Sequence, residues 1–281
     1  MRNNQDRLGA PEVPNTSEPA PALTQQGADF SFVAANDIVE LPSGGEQYPE
    51  GHLLRNNPRV EIKQMTAKEE DILLNESYIK QGVVVEKLLQ SLIVDKSLNL
   101  DDLLIGDKNA ILVQVRRSAY GDEYPVQMVC RNCGKPGEQT FILEDCVRPR
   151  SVNLIDGVKA TDRGTYEVAM PKSKAVVEFK LLTQRDEKDL AEKEKKYAKH
   201  NVQYSATLEA FKALIVSVNG QTNLINQYLE NMPLQDSRMF KRIIKEVPPN
   251  VELIGTYECG SCGSQNETEL PINFRFFWPD F

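Results

Sequence analysis

The spacing of apolar residues changes period several times along the chain. Val39, Leu41, Val60 and Ile62 alternate with polar neighbours, the period-two pattern of half-buried strands. Between them lie two loop signals, Pro42-Ser43-Gly44-Gly45 and Tyr48-Pro49-Glu50-Gly51-His52. Thr66-Ala67-Lys68-Glu69 has the form of a capping box and predicts a short helix to about Leu74. Val84, Leu88 and Ile93, with Val85, Leu89 and Leu92, predict a well-buried helix over residues 83–94. Asp107 reads as the N-cap of a helix over residues 108–119, with Ile111, Leu112 and Val115 inward and Gly121 as its stop.

From Tyr124 the period returns to two. Val126, Met128 and Cys130 alternate, a Cys-Arg-Asn-Cys-Gly turn follows, and residues 139–143 lead back. A second strand pair is expected at 165–169 and 175–182, turning at Pro171-Lys172-Ser173. Helical spacing then resumes. Residues 185–199 are almost wholly charged, with Asp189/Lys193 and Glu192/Lys196 spaced i, i+4, which reads as a solvated, self-paired face. Leu208, Phe211, Ile215 and Val218 make an apolar stripe after a Ser205 cap, and Asn219-Gly220 ends it. Two more helices fit residues 222–231 and 236–247, stopped by Pro248-Pro249. Strand character reappears at 251–258, followed by Cys-Gly-Ser-Cys-Gly and a polar return strand. The chain closes on Phe274, Phe276, Phe277, Trp278, Pro279 and Phe281, which either pack on the hairpins or anchor in a partner's pocket.

This pattern predicts an α+β protein in which a helical body is inserted between two Cys-x-x-Cys β-hairpins. The expected divisions are an extended N-terminal arm over 1–36, an extended segment with helices over 37–121, and a first cysteine hairpin with a β region over 122–182. A helical insert over 183–250 and a second cysteine hairpin with the aromatic end over 251–281 complete them. The arm is expected because Pro11, Pro14, Pro19 and Pro21 crowd among polar residues, a composition that buries too little apolar surface to offset ordering. Phe30, Phe32 and Val33 at its end are candidate anchors on a neighbouring subunit.

Charge and cysteine content narrow the function. Lys and Arg total 33 against 41 for Asp and Glu, a net charge of −8 that argues against a surface built to track nucleic acid. No apolar run is long enough to span a membrane. With two histidines, His-dependent catalysis is unexpected. The start of the chain lacks a basic-then-apolar leader, so folding in a reducing cytosol is expected and disulfides are a poor default.

The sharpest signal is Cys-x-x-Cys-Gly occurring twice, at Cys130/Cys133 and Cys259/Cys262. A glycine after the second cysteine lets both sulfurs of a tight turn point at one ion. Two such turns supply the four thiolates of a structural Zn²⁺ site with no open position for a reactive water. The pairs are 126 positions apart, which is tolerable because loop closure cost rises only logarithmically with length. A redox Cys-x-x-Cys normally sits at a helix start, whereas both of these sit between strands. Disulfides, within or between the pairs, remain the other reading. Cys146 lies outside both pairs and reads as a small buried thiol.

A nucleic-acid-binding zinc ribbon is the tempting function, and local charge opposes it. Residues 122–150 carry five acids against four bases, and residues 252–281 five acids against one base. No phosphate loop or dinucleotide fingerprint occurs, and nothing ties Ser, His and Asp into a triad. Asp101, Asp102 and Asp107 lack the spacing of a calcium loop and read as helix caps. No catalytic residue, small-molecule substrate or enzyme activity is expected.

Several phrases, in order, resemble the T4-type phage baseplate proteins of contractile tails. They are Val39-Glu40-Leu41-Pro42-Ser43-Gly44-Gly45 with Tyr48-Pro49-Glu50-Gly51-His52, Val60-Glu61-Ile62-Lys63 with Met65-Thr66-Ala67-Lys68-Glu69-Glu70-Asp71, and Leu103-Leu104-Ile105-Gly106-Asp107-Lys108-Asn109-Ala110-Ile111-Leu112. Both cysteine pairs, Met232-Pro233-Leu234-Gln235-Asp236-Ser237-Arg238 and Phe276-Phe277-Trp278-Pro279 extend the match over residues 38–281. The resemblance implies a baseplate hub or hub-assembly protein without catalytic activity. Its partners would be other tail proteins, its location the virion tail, and its assembly the host bacterial cytoplasm. An assembly chaperone that leaves before maturity is the alternative. The residues at 42–52 and the C-terminal aromatics are the expected contact surfaces.

Overall fold

The structure is a computed structural model and describes residues 35–155, 157–200, 204–272 and 276–277. It is a mixed helix and sheet protein, as expected. The arm expected over 1–36 lies outside the described residues except for Ala35 and Asn36.

Strands β1 (Asp37–Glu40) and β2 (Arg59–Ile62) pair antiparallel. Helix α1 (Ala67–Leu73) opens on the expected capping box, with Thr66 and Glu69 bonded reciprocally. Helix α2 (Glu76–Gln81) was not expected. Asn75 caps it by accepting from the Tyr78 amide, and Gly82, at φ 77°, ends it. Helix α3 (Val84–Leu92) buries Val84, Leu88, Leu89 and Leu92. A one-turn 3₁₀ helix (Leu100–Asp102) leads into the 16-residue α4 (Ile105–Tyr120). Gly106 has to be glycine for contact reasons, since a β-carbon there would lie 1.9 Å from the Pro249 carbonyl oxygen.

Hairpin β3 (Glu123–Val129)/β4 (Pro136–Ile142) follows, then a single turn α5 (Leu143–Cys146) that buries Cys146, and β5 (Val147–Arg150). Strands β6 (Val158–Ala160), β7 (Tyr166–Ala169) and β8 (Val176–Phe179) begin a four-stranded antiparallel sheet. Helices α6 (Gln184–Lys199) and α7 (Ala206–Leu214) come next, and β9 (Ile215–Val218) completes the sheet beside β8. Helices α8 (Ile225–Glu230) and α9 (Leu234–Glu246) precede β10 (Asn250–Glu258) and β11 (Gln265–Glu269). One end of β10 pairs with β5 and the other with β11.

Three expectations are corrected. Ile215 and Val218 do not continue the α7 stripe. The run Ile-Val-Ser-Val is β-branched at three of its four positions and turns into a strand on β8, where that shape packs better than in a helix. The segment between the cysteine hairpins is therefore a sheet covered by helices and not a helical body alone. Glu192 and Lys196 pair along α6 at 3.9 Å as expected, whereas Lys193 pairs with Glu209 of α7 at 3.2 Å and not with Asp189. Arg185 reaches Asp102 at 3.1 Å, and Lys188 reaches Asp101 and Glu86. The charged α6 face is therefore bonded to its neighbours, which also explains Asp101 and Asp102 without a cation or a cap.

The third correction concerns Asp107. Helix α4 starts at Ile105, so Asp107 lies inside its first turn and is fully buried. Its carboxylate accepts from the Ser43 amide (3.0 Å), the Ser43 hydroxyl (2.7 Å) and the Tyr48 hydroxyl (2.7 Å). Asp236, in the first turn of α9, does the same for the 171–173 turn, accepting from the Lys172 and Ser173 amides at 2.7 and 3.0 Å. Each aspartate pins a loop by its backbone and holds its negative charge at a helix N-terminus.

Aromatics organise the sheet core. Phe240 of α9 stands edge-on to Phe179 of β8 and Phe211 of α7, with centroids 5.6 and 4.9 Å away.

Candidate metal centre

Strands β3 and β4 pair from Glu123↔Ile142 to Val129↔Pro136, which carries Cys130 and Cys133 to the hairpin tip. Strands β10 and β11 pair from Ile254↔Glu269 to Glu258↔Gln265, which carries Cys259 and Cys262 to theirs. Phe141 holds the two hairpins together. Its ring covers Gly255, where a β-carbon would come within 2.5 Å, and meets Tyr257 edge-on at 6.1 Å. A larger residue at 255 would push the hairpins and their sulfurs apart.

The two tips have the same internal bonding. The Cys130 amide donates to Lys135 O and the Gly134 amide to Cys130 O, at 3.0 and 2.9 Å. The Cys259 amide donates to Ser264 O and the Gly263 amide to Cys259 O, at 2.9 and 2.8 Å. Gly134 and Gly263 both adopt the left-handed conformation, at φ 69° and 67°. That turn is why a glycine follows each second cysteine.

All four sulfurs lie within 4.8 Å of one another. The shortest separations cross between hairpins, 3.8 Å for Cys130–Cys262 and 3.8 Å for Cys133–Cys259. Four sulfurs around an ion at about 2.3 Å would be about 3.8 Å apart at the corners of a tetrahedron. Disulfide sulfurs would be about 2.05 Å apart, and these cysteines are free. Cys130 and Cys259 are buried, whereas Cys133 and Cys262 are at the surface. The four positions chosen from spacing are thus brought together, and the set fits a metal ion.

The surroundings favour thiolates at two positions. The Cys133 amide, and then the Asn132 amide, lower the Cys130 thiol to about 6 against the opposing effect of burial. The Ser264 amide and the Asn132 side chain lower Cys262. Cys133 is pushed up to about 11. The Lys135 amide pulls it down, but burial and the three other sulfurs outweigh that donor. Sequence reasoning missed two residues here. Asn132 Nδ2 lies 3.7 Å from Cys262 Sγ, and Asn266 Nδ2 lies 3.8 Å from Cys130 Sγ. Each amide crosses from one hairpin to a sulfur of the other. The only signal in the sequence was an asparagine inside one turn and another shortly after the second.

The expected contact surfaces fare less well. Leu41, Ser43, Gly45 and Tyr48 are buried, and Tyr48 also stacks on His52 with centroids 4.6 Å apart. Only part of the 42–52 segment faces outward. Phe276 and Phe277 are buried, Phe276 edge-on to Tyr124 at 5.2 Å, so these two aromatics serve the core. Phe274, Trp278, Pro279 and Phe281 lie outside the described residues.

No helix of the described residues is long and apolar enough to cross a membrane. A family described as T4 bacteriophage base plate protein matches residues 35–278, and the chain belongs to it. No curated protein and no solved structure matches the chain. Membership carries a structural role in the phage baseplate, a place in the virion tail and other tail proteins as partners.

Proposed function

We propose that the protein is a non-enzymatic component of the baseplate hub of a contractile tail. It is made in the host cytoplasm and acts by docking to other tail proteins, with its two hairpins stapled by one structural zinc ion. The observation that carries this reading is the convergence of four thiols within 4.8 Å of one another in a baseplate family chain. Cys130, Cys133, Cys259 and Cys262 would hold the ion. When bound, zinc supplies a cross-link that a reducing compartment does not dissolve, and no open coordination position for chemistry. Four thiolates also suit iron, so the identity of the metal is part of the proposal.

The hairpins carry the strands, Phe141 and the amides of Asn132 and Asn266 set the spacing of the sulfurs, and the glycines shape the tips. Elemental analysis of protein purified without added metal tests the staple. One zinc per chain is expected, and none at all, with an unaltered fold in the quadruple Cys→Ser variant, sinks it. A second reading is an assembly factor absent from the mature particle. Quantitative mass spectrometry of purified virions separates the two, since stoichiometric presence excludes a factor that leaves. Nucleic-acid binding is disfavoured by Glu258, Glu267 and Glu269 on the exposed side of the second hairpin.

A further inference from the structure

A groove of about 610 Å³ runs beside α4 between β1 and β5. Ala110 and Val113 of α4 and Val251 of β10 give it an apolar floor, Gln114 and Arg117 of α4 add polar groups, and Val147 and Pro149 of β5 also line it. Strand β1 has one sheet neighbour, β2. The Leu41 amide bonds to Pro58 O, and the register pairs Val39 with Val60 and Asp37 with Ile62. Alternation then turns the backbone groups of Ile38 and Glu40 away from β2, and among the described residues nothing pairs with them. Side chains alternate too, so Val39 is buried while Ile38 is 62% exposed. Open hydrogen-bonding groups and apolar side chains therefore lie side by side. Strand β5 is a blunt opposite wall, because the Val147 amide is bonded to Leu143 O and Pro149 has no amide hydrogen.

The chain contains a segment of matching pattern. Thirty-four residues precede Ala35, and near their end stands Phe30-Ser31-Phe32-Val33, as long as β1. In an added strand Phe30 and Phe32 fall on one face, Ser31 and Val33 on the other. The small residues Ala110, Val113 and Val251 leave room for two rings. Ala35 and Asn36 run into β1 without a turn. We propose that the groove receives residues 30–33 of a second copy of this chain as a strand added to the open edge of β1. Phe30 and Phe32 lie over Ala110 and Val113, and Val33 lies beside Ile38, covering it. This extends the docking role proposed above, but it stands on the groove and the free edge, and on neither the metal nor the hub assignment.

Sedimentation velocity of the full chain, over a wide range of concentration, tests it. Self-association is expected. Phe30→Asp with Phe32→Asp should weaken it by about tenfold or more, as should Ile38→Asp, whose side chain is exposed and whose fold is checked by circular dichroism. A photo-crosslinking residue at position 38, in mixed isotopically heavy and light copies, should give heavy–light links to the peptide holding residues 30–33. A monomer at every concentration, association indifferent to the arm variant, or links confined to single copies would each overturn the proposal. Metal content measured on the same samples shows whether the zinc reading fails separately.

Discussion

The cysteine hairpins and the β6–β9 sheet solve the same problem with different means. In β4 only Phe141 is buried, and in β11 no residue is. The bases of the hairpins are better held, since β3 buries Tyr124 and Val126 and β10 also pairs with β5, but tips with so little buried apolar surface are marginal in water. A metal cross-link would order these tips, and the four clustered thiols could supply its ligands. The β6–β9 sheet instead buries Tyr166, Val168, Val177 and Phe179 against Phe211, Leu214, Phe240 and Ile243 of the helices. Its polar side is satisfied within itself: Glu178 accepts from Thr165 at 2.7 Å and Ser217 at 2.8 Å and pairs with Arg163. The sheet is held by its core, whereas the hairpin tips offer four clustered thiols that could hold a metal ion.

Chelation should separate the two regions most sharply. Structural zinc sites in small domains contribute about 10–16 kcal/mol of apparent binding free energy. Stripping the ion should therefore release the β3–β4 and β10–β11 amides to rapid hydrogen exchange while β7–β9 stay protected. Exchange rising equally in both regions would show that they are one cooperative unit. Phe240→Ala tests the converse, with an expected loss of about 3–5 kcal/mol in denaturant unfolding. Zinc should stay stoichiometric below that transition, and early zinc loss would contradict the separation.

The two loop-pinning aspartates should divide by pH. Burial raises the Asp107 carboxyl above 3.8, outweighing its hydrogen bonds from Ser43 and Tyr48. The folded state then holds that proton more tightly than the unfolded one. Its contribution is most favourable below the ordinary carboxylate value and declines as pH rises toward the folded value. At Asp236 burial opposes ionisation, but the Ser173 side chain, the Lys172 and Ser173 amides and Tyr228 together lower it. Its stabilisation is present above the ordinary value and is lost as pH falls through the lowered one. Each of Asp107→Ala and Asp236→Ala should cost about 1–3 kcal/mol by stranding buried donors. Acid unfolding profiles should differ in sign between the two, and parallel profiles would refute the assignment. The smallest effect is expected at Asn266→Ala, where competition with a zinc chelator should show about tenfold weaker binding with little change in melting temperature.

Much of the candidate site was legible because its chemistry is local. A Cys-x-x-Cys-Gly turn between alternating strands carries its own geometry, so the four ligands followed from spacing. The capping box at Thr66, the stop at Gly121 and both hairpins followed for the same reason. Asn132 and Asn266 did not, because an amide becomes a sulfur donor only when a second hairpin is set against its own. Asp107 and Asp236 were misread or passed over because each looks like an ordinary residue near a helix start. Their partners at 43–48 and 171–173 are more than fifty positions away along the chain.

Legible from the sequence alone were most of the helices and strands, the two turns that offer sulfur, and the acidity around the cysteines. Each depends on residues within a few positions of one another, where backbone geometry and charge act directly. That β9 leaves the α7 stripe and that Phe276 and Phe277 point inward was settled by packing in three dimensions. The open edge of β1 beside a groove with an apolar floor is another such outcome. Those outcomes turn on which surface finds a partner first in a close-packed interior, and that competition is settled between segments far apart in the chain.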